Sequence, residues 1–362
     1  MTSGPILLMA GGTGGHVYPA LAVALSLRDH ARDVVWLGTH LGIEAKVVPA
    51  AGIPVEWVNV QGLRGKGALA LLAAPVRLLR ATRQSLSVMR RHRPAAVLGM
   101  GGFVSGPGGL AAWLTRRPLV IHEQNAVSGL TNRLLARLAR VVLQAFPGSF
   151  SPRVHAETVG NPVRREIAEL PDPATRFANR SGLLRLLVLG GSQGALALNR
   201  AVPAALGRLP FERRPLVRHQ AGARTLDAAR AAYDKAGVDV ELTPFIDNMA
   251  EAYGWADLVL CRAGALTVAE LAAAGVGAIF VPFPAAVDDH QTANAAPLVK
   301  AGAAEMLKER DLTETSLADL LQSLLTSRGQ LLERALKART QAKPGALARI
   351  TDVCLELAGA QP

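Results

Sequence analysis

Gly11-Gly12-Thr13-Gly14-Gly15-His16 follows the apolar run Pro5-Ile6-Leu7-Leu8-Met9-Ala10 and leads into Val17-Tyr18-Pro19-Ala20-Leu21-Ala22-Val23-Ala24-Leu25. An apolar run, a glycine turn and a helix-like stretch is the layout that opens a parallel α/β sheet. Glycine has no Cβ, so the backbone can take positive φ and lie against a ligand, while the free N–H groups opening the helix attract anions. The turn is therefore expected to face a phosphate. His16 stands at its lip, and because imidazole titrates near neutrality it is a candidate proton carrier beside the bound anion. The plainer alternative is a glycine turn that only opens a helix, with a structural histidine next to it.

Outward from this turn, strand-like runs recur at 34–38, 55–60, 95–100, 118–122 and 141–145, mostly separated by helical stretches, which predicts a parallel, doubly wound sheet. Two of these runs end in further clusters, Gly101-Gly102-Phe103-Val104-Ser105-Gly106-Pro107-Gly108-Gly109 and His122-Glu123-Gln124-Asn125. Ligands bind at the carboxyl ends of strands in open α/β sheets, so three clusters on one edge imply a site there. The pattern breaks near Gly160-Asn161-Pro162-Val163-Arg164. Beyond that linker, 184–189 enters Gly190-Gly191-Ser192-Gln193-Gly194 and a helix, and strand-like runs follow at 216–220, 238–243, 257–261 and 278–282. Two Rossmann-like α/β domains facing a cleft are expected, at 1–162 and 163–340, with 341–362 a C-terminal helix that packs back on the first domain. A length of 362 residues favours two cores over one.

Composition narrows the function classes. Two cysteines, Cys261 and Cys354, make no disulfide framework, and Met1-Thr2-Ser3-Gly4 lacks the basic region of a signal peptide, so a cytosolic chain is expected. The apolar stretch 271–287 is broken by Pro282 and Pro284 and reads as a buried helix and strand rather than a membrane span. The net charge of +12 is carried almost wholly by residues 1–160, which hold 17 Lys and Arg against 6 Asp and Glu. Across 57–122 there are 10 basic residues and no acidic one, which points to a polyanionic partner.

A nicotinamide or flavin enzyme would need G-x-G-x-x-G/A and, about twenty residues on, an acidic ribose ligand. The first turn instead gives Gly12-x-Gly14-x-x-Val17 and its second strand closes on Gly38-Thr39-His40; the second turn's next strand closes on His219-Gln220. A different ribose ligand is available in Cys261-Arg262-Ala263-Gly264-Ala265-Leu266-Thr267-Val268-Ala269-Glu270. Glu270 has two oxygens for a cis-diol, and the N–H groups around Ala265, Leu266 and Thr267 suit phosphate. Glu early in a helix also favours the dipole with no ligand at all.

The stretches GGTGGH, GMGGFVSGPGG, HEQNAVSGLTN, VGNPVR, GGSQGA, PFID and CRAGALTVAE, in this order from Met9 to Asn294, resemble the MurG family. Those transferases add N-acetylglucosamine from UDP-N-acetylglucosamine to the undecaprenyl-diphosphate-linked N-acetylmuramoyl-pentapeptide, lipid I, and have the two-domain glycosyltransferase-B fold. The resemblance implies donor contacts at Thr13, Gly14, Gly15, Asn125, Arg164, Ser192 and Ile246, at Ala265, Leu266, Thr267, Val268, Ala269 and Glu270, and at Gln291. Ile246 would meet uracil through its backbone, Glu270 the ribose diol and Gln291 the sugar hydroxyls. Around Gln291 the chain departs from the family's pattern, with His290, Thr292 and Ala293 where further Gln and aromatic residues are common.

Such a transfer needs a base for the attacking hydroxyl and stabilisation of charge on UDP. His16 is the candidate base and Glu123 the runner-up. No two aspartates stand two apart, so no Asp-x-Asp metal site is expected and no cofactor is implied; helix N-termini, Ser192 and Arg164 would carry the diphosphate's charge. The segment 69–83 combines apolar residues at helical spacing with Arg77, Arg80 and Arg83, which suggests peripheral attachment to an anionic membrane surface at the cytoplasmic face, not nucleic-acid binding. Alternatives are a UDP-N-acetylglucosamine 2-epimerase or similar enzyme of this fold, and a non-catalytic nucleotide-sugar binding protein.

Overall fold

In the computed structural model, which describes residues 4–60, 74–191, 194–284 and 289–359, the apolar runs become the strands of two all-parallel sheets. The chain divides into one unit of Met1–Val163 with Lys343–Pro362 and a second of Arg164–Ala342.

In the first unit, β1 Ile6–Met9, β2 Val34–Gly38, β3 Val55–Trp57, β4 Ala96–Gly99, β5 Leu119–Glu123, β6 Val141–Gln144 and β7 Glu157–Thr158 are ordered β3-β2-β1-β4-β5-β6-β7. β1 lies at the centre, with Leu8 in register with Trp36 on one side and Leu98 on the other. Strands covered on both faces read as continuous apolar runs. Accordingly Ile6 and Leu8 join one buried cluster, while Leu7 and Met9 join another. The first cluster takes in the helix α1 Gly14–Asp29 and Ile350, Val353 and Cys354 of the C-terminal helix Ala346–Gly359. Each fully buried Leu or Ile contributes roughly 1.5–3 kcal/mol to such a core.

The second unit repeats the design with β8 Arg185–Leu189, β9 Leu216–Gln220, β10 Glu241–Thr243, β11 Leu258–Cys261, β12 Gly277–Phe280 and β13 Ala304–Met306, ordered β10-β9-β8-β11-β12-β13. The expected strand at 238–243 shortens to its last three residues, because Gly237 ends the preceding helix in a left-handed cap. β7 and β13 were not expected from sequence; both are short edge strands, where one row of neighbours is enough and no long apolar run is needed.

In each sheet the strand order reverses beside the first strand, between β1 and β4 and between β8 and β11. Such switch points open the crevice in which ligands sit.

Candidate active site

At the first switch point the chain leaves β1 through Gly12, at φ +95°, and enters α1 with Thr13 as N-cap. Thr13 caps nothing with its side chain and the first turn holds no acidic residue, so the amides of Gly14 and Gly15 keep their helix-end positive potential for an anion. A carboxylate six residues beyond β2 holds this turn. Glu44, fully buried at the start of α2 Glu44–Ala50, accepts from Gly12 N at 3.0 Å, Thr39 N at 3.1 Å and Thr39 Oγ1 at 2.7 Å. The absence of a carboxylate at the end of β2 was informative for the dinucleotide question, yet Glu44 serves the turn itself.

The glycine cluster after β4 is shaped around the first turn. A Cβ on Gly101 (φ +95°) would lie 2.6 Å from His16 Nδ1, and one on Gly102 (φ +82°) 2.3 Å from the Gly11 carbonyl oxygen. Only glycine fits either position. His16, half-buried, turns Nδ1 to Gln124 Oε1 at 3.0 Å.

Glu123, the runner-up base from sequence, has a carboxylate engaged on both oxygens. It is buried, Oε1 accepts from Asn125 N (3.0 Å) and Asn125 Nδ2 (3.2 Å), and Oε2 from Gly129 N (3.1 Å) and Asn132 Nδ2 (2.9 Å). Four donors occupy the carboxylate, two of them from Asn125 on the loop that follows β5. Asn125 is further fixed through its carbonyl, which accepts from Ser149 Oγ at 2.8 Å.

In the second unit Arg164 and Glu270 come together. Arg164 Nε and Nη2 donate to Glu270 Oε1 at 3.2 and 2.9 Å, and Tyr253 Oη donates to Glu270 Oε2 at 3.1 Å. Glu270 lies on α7 Ala265–Ala274 and Tyr253 on α6 Met249–Trp255, taking α3 as Ala74–His92, α4 as Ser105–Leu114 and α5 as Leu130–Leu135. Burial raises the Glu270 pKa above the ordinary carboxylate value, against the opposing pull of Arg164 and Tyr253. Burial, with the Glu270 charge, also holds the Tyr253 phenol protonated and so a donor. Tyr253 was missed from sequence because an aromatic one helix away carries no motif.

Gly264 caps α7, and the turn before it is held from both sides: Asn294 Nδ2 donates to Ala263 O at 3.2 Å and Arg262 Nη1 to Val281 O at 3.0 Å. Ala265, Leu266, Thr267, Val268 and Ala269 form the opening turns of that helix. Ile246 is half-buried in the loop after β10. Gln291, in the first turn of α8 His290–Lys300, accepts at Oε1 from Phe283 N at 2.9 Å. Ser192 lies outside the described residues.

The basic segment is partly described, since 69–73 lie outside the described residues. From Ala74 it forms α3, which is exposed from Pro75 to Arg80, Val76 by 69% and Leu79 by 52%, alongside Arg77 and Arg80. The apolar residues there do not pack on the sheet; burial begins at Ala81, Thr82, Ser85 and Met89, and Arg83 stays exposed. α3 packs on α4, and α4 on α5, which add exposed Trp113, Leu130 and Leu134. Among the described residues no cluster of His, Cys, Asp and Glu could hold a metal ion, and no helix is long and apolar enough to cross a membrane.

Comparison with known proteins follows the two units. Residues 6–144 match the glycosyltransferase family 28 N-terminal domain and 185–350 the glycosyltransferase family 28 C-terminal domain. A relative from Alkalilimnicola ehrlichii, named "UDP-N-acetylglucosamine--N-acetylmuramyl-(pentapeptide) pyrophosphoryl-undecaprenol N-acetylglucosamine transferase", is 61% identical over 97% of this chain and 98% of its own. One of the same name from Marinobacter nauticus is 55% identical over 99% of each. The crystal structure of Acinetobacter baumannii MurG is similar at a TM-score of 0.84 and 42% identity, over 98% of this chain and 99% of that one.

Proposed function

This chain belongs to the MurG family of glycosyltransferases, and from that premise we propose that it moves N-acetylglucosamine from UDP-N-acetylglucosamine onto the N-acetylmuramoyl-pentapeptide of undecaprenyl-diphosphate, converting lipid I to lipid II in peptidoglycan synthesis. The observation that carries this most directly is the full-length identity of 61% to a transferase of that name.

The acceptor hydroxyl attacks the anomeric carbon from the face opposite UDP, the bond to the diphosphate oxygen breaks, and the product is β-linked. His16 takes the hydroxyl proton; its placement in the turn and the engagement of Glu123 elsewhere support this assignment. UDP leaves with a second charge, met by helix N-termini, Ser192 and Arg164. Glu270, held by Arg164 and Tyr253, accepts from the ribose hydroxyls, and Asn125, Ser192, Ile246 and Gln291 complete the donor contacts.

The same reading places the exposed, arginine-bordered apolar face of α3 to α5 against the anionic cytoplasmic leaflet, where lipid I presents its diphosphate. Each Lys or Arg there adds on the order of 1 kcal/mol of attraction, enough for reversible attachment without a membrane span. The testing experiment supplies radiolabelled UDP-N-acetylglucosamine and lipid I. Label moving into the lipid fraction is the expected result; epimerised donor, or binding without turnover, would instead identify an epimerase or a binding protein.

A further inference from the structure

His16 is held by a chain of side chains that starts at a backbone carbonyl. His122, wholly buried at the end of β5, donates from Nε2 to Gly160 O at 2.9 Å. Its Nδ1 is thereby the lone-pair nitrogen, and it receives Gln124 Nε2 at 3.2 Å. Gln124, also buried, donates from the same Nε2 to Met100 O at 2.8 Å. A carbonyl oxygen and an imidazole lone pair can only accept, so the amide nitrogen must face them and the amide oxygen must face His16. Burial pushes His122 down to about 4, so it stays neutral and keeps that lone pair at neutral pH.

We propose that Gln124 is a positioning residue that fixes His16 as its Nδ1–H tautomer and so presents the Nε2 lone pair as the base. The Oε1 of Gln124, 3.0 Å from His16 Nδ1, can only accept, so the proton of neutral His16 resides on Nδ1. Among the described residues Nε2 has no partner. A histidine free in water favours the other tautomer, with its proton on Nε2 and no lone pair where the substrate hydroxyl would arrive. The missing Cβ of Gly101 admits the ring to this position, and Asn161 Nδ2, donating to Gln124 O at 3.0 Å, fixes the backbone of the glutamine. A glutamine therefore does here, without charge, what a carboxylate does for histidine in hydrolytic triads.

The inference rests on His16 as base, and its test separates the two. Long-range proton–nitrogen correlation spectra of the full chain with nitrogen-15-labelled histidine, assigned by the signal lost in His16→Ala, read the tautomer directly in the wild type. A pyrrole-type Nδ1 and a pyridine-type Nε2 are expected; a pyridine-type Nδ1 on His16 overturns the proposal whatever any variant does. Gln124→Met keeps the volume and removes both hydrogen-bonding functions. It should shift His16 toward the Nε2–H form and lower kcat by about tenfold or more, with the KM for UDP-N-acetylglucosamine unchanged within about twofold. An unchanged kcat in a folded Gln124→Met protein, or a loss confined to KM, also overturns it. If His16→Ala retains full turnover, the base assignment fails while the tautomer reading stands on its own spectrum.

Discussion

Six strands of the first sheet repeat the order of the second, yet the switch points of the two are furnished differently. In the first unit the turn after β4 is bare, Gly101 and Gly102, and its emptiness admits the His16 ring and the Gly11 backbone. In the second, the turn after β11 begins a helix whose Glu270 is gripped by Arg164 and Tyr253. In the first unit Glu44 and Glu123 accept from donors on neighbouring loops; in the second Glu270 stands in a polar clamp with an arginine. One topology thus carries a histidine on a hydrogen-bonded relay in one copy and an arginine-clamped carboxylate in the other, which is what divergence of loops on a fixed sheet permits.

The proposed division of labour is broken most severely at His16. His16→Ala should lower kcat by roughly a hundredfold to ten-thousandfold and leave the donor KM nearly unchanged; near-normal turnover would end the assignment. Replacing Arg77, Arg80 and Arg83 together with Glu should abolish co-sedimentation with anionic vesicles while transfer to a water-soluble, short-chain acceptor continues. Vesicle binding that persists would move the membrane surface elsewhere, and equal loss of both would tie the arginines to the fold or the acceptor.

On the second unit, Glu270→Ala should raise the donor KM by about tenfold or more and reduce discrimination against a 2′-deoxyribose donor. Equal discrimination by wild type and variant is the outcome that removes the diol from Glu270. Glu123→Gln sharpens the contrast between its two candidate roles. As a loop support it should lose up to about tenfold in activity together with some thermal stability, because an amide nitrogen replaces one acceptor oxygen; a loss as deep as that of His16→Ala, with stability intact, would restore it as a base. Smallest of all, exhaustive chelation should change activity little. Complete loss restored by magnesium would refute charge stabilisation by protein groups alone.

Much of the fold was legible because buried parallel strands must be apolar over their whole length and their turns must be glycine where backbones approach closely. Ile6–Met9 with its glycine turn, and Arg185–Leu189 with its own, announce two doubly wound units in a single reading. The short edge strands β7 and β13 escaped, since an edge strand of two or three residues imposes no such pattern. His16 and Glu270 were legible as candidates because each stands at a fixed offset from a turn. Gln124 and Tyr253 were not, although Gln124 occurs within a readable stretch, because a neutral side chain acquires its role only from what it faces.

Sequence alone therefore determined the two α/β halves, the family, the glycine turns and the excess of positive charge, all of which follow from residue type and spacing along the chain. Tertiary structure decided which donors each carboxylate faces, which way an amide points, and whether the apolar residues beside Arg77 and Arg80 are covered. Those answers depend on distances between residues that are not neighbours in sequence, Gln124 from His16 and Tyr253 from Glu270, and on the desolvation that obliges buried polar groups to find partners within the protein.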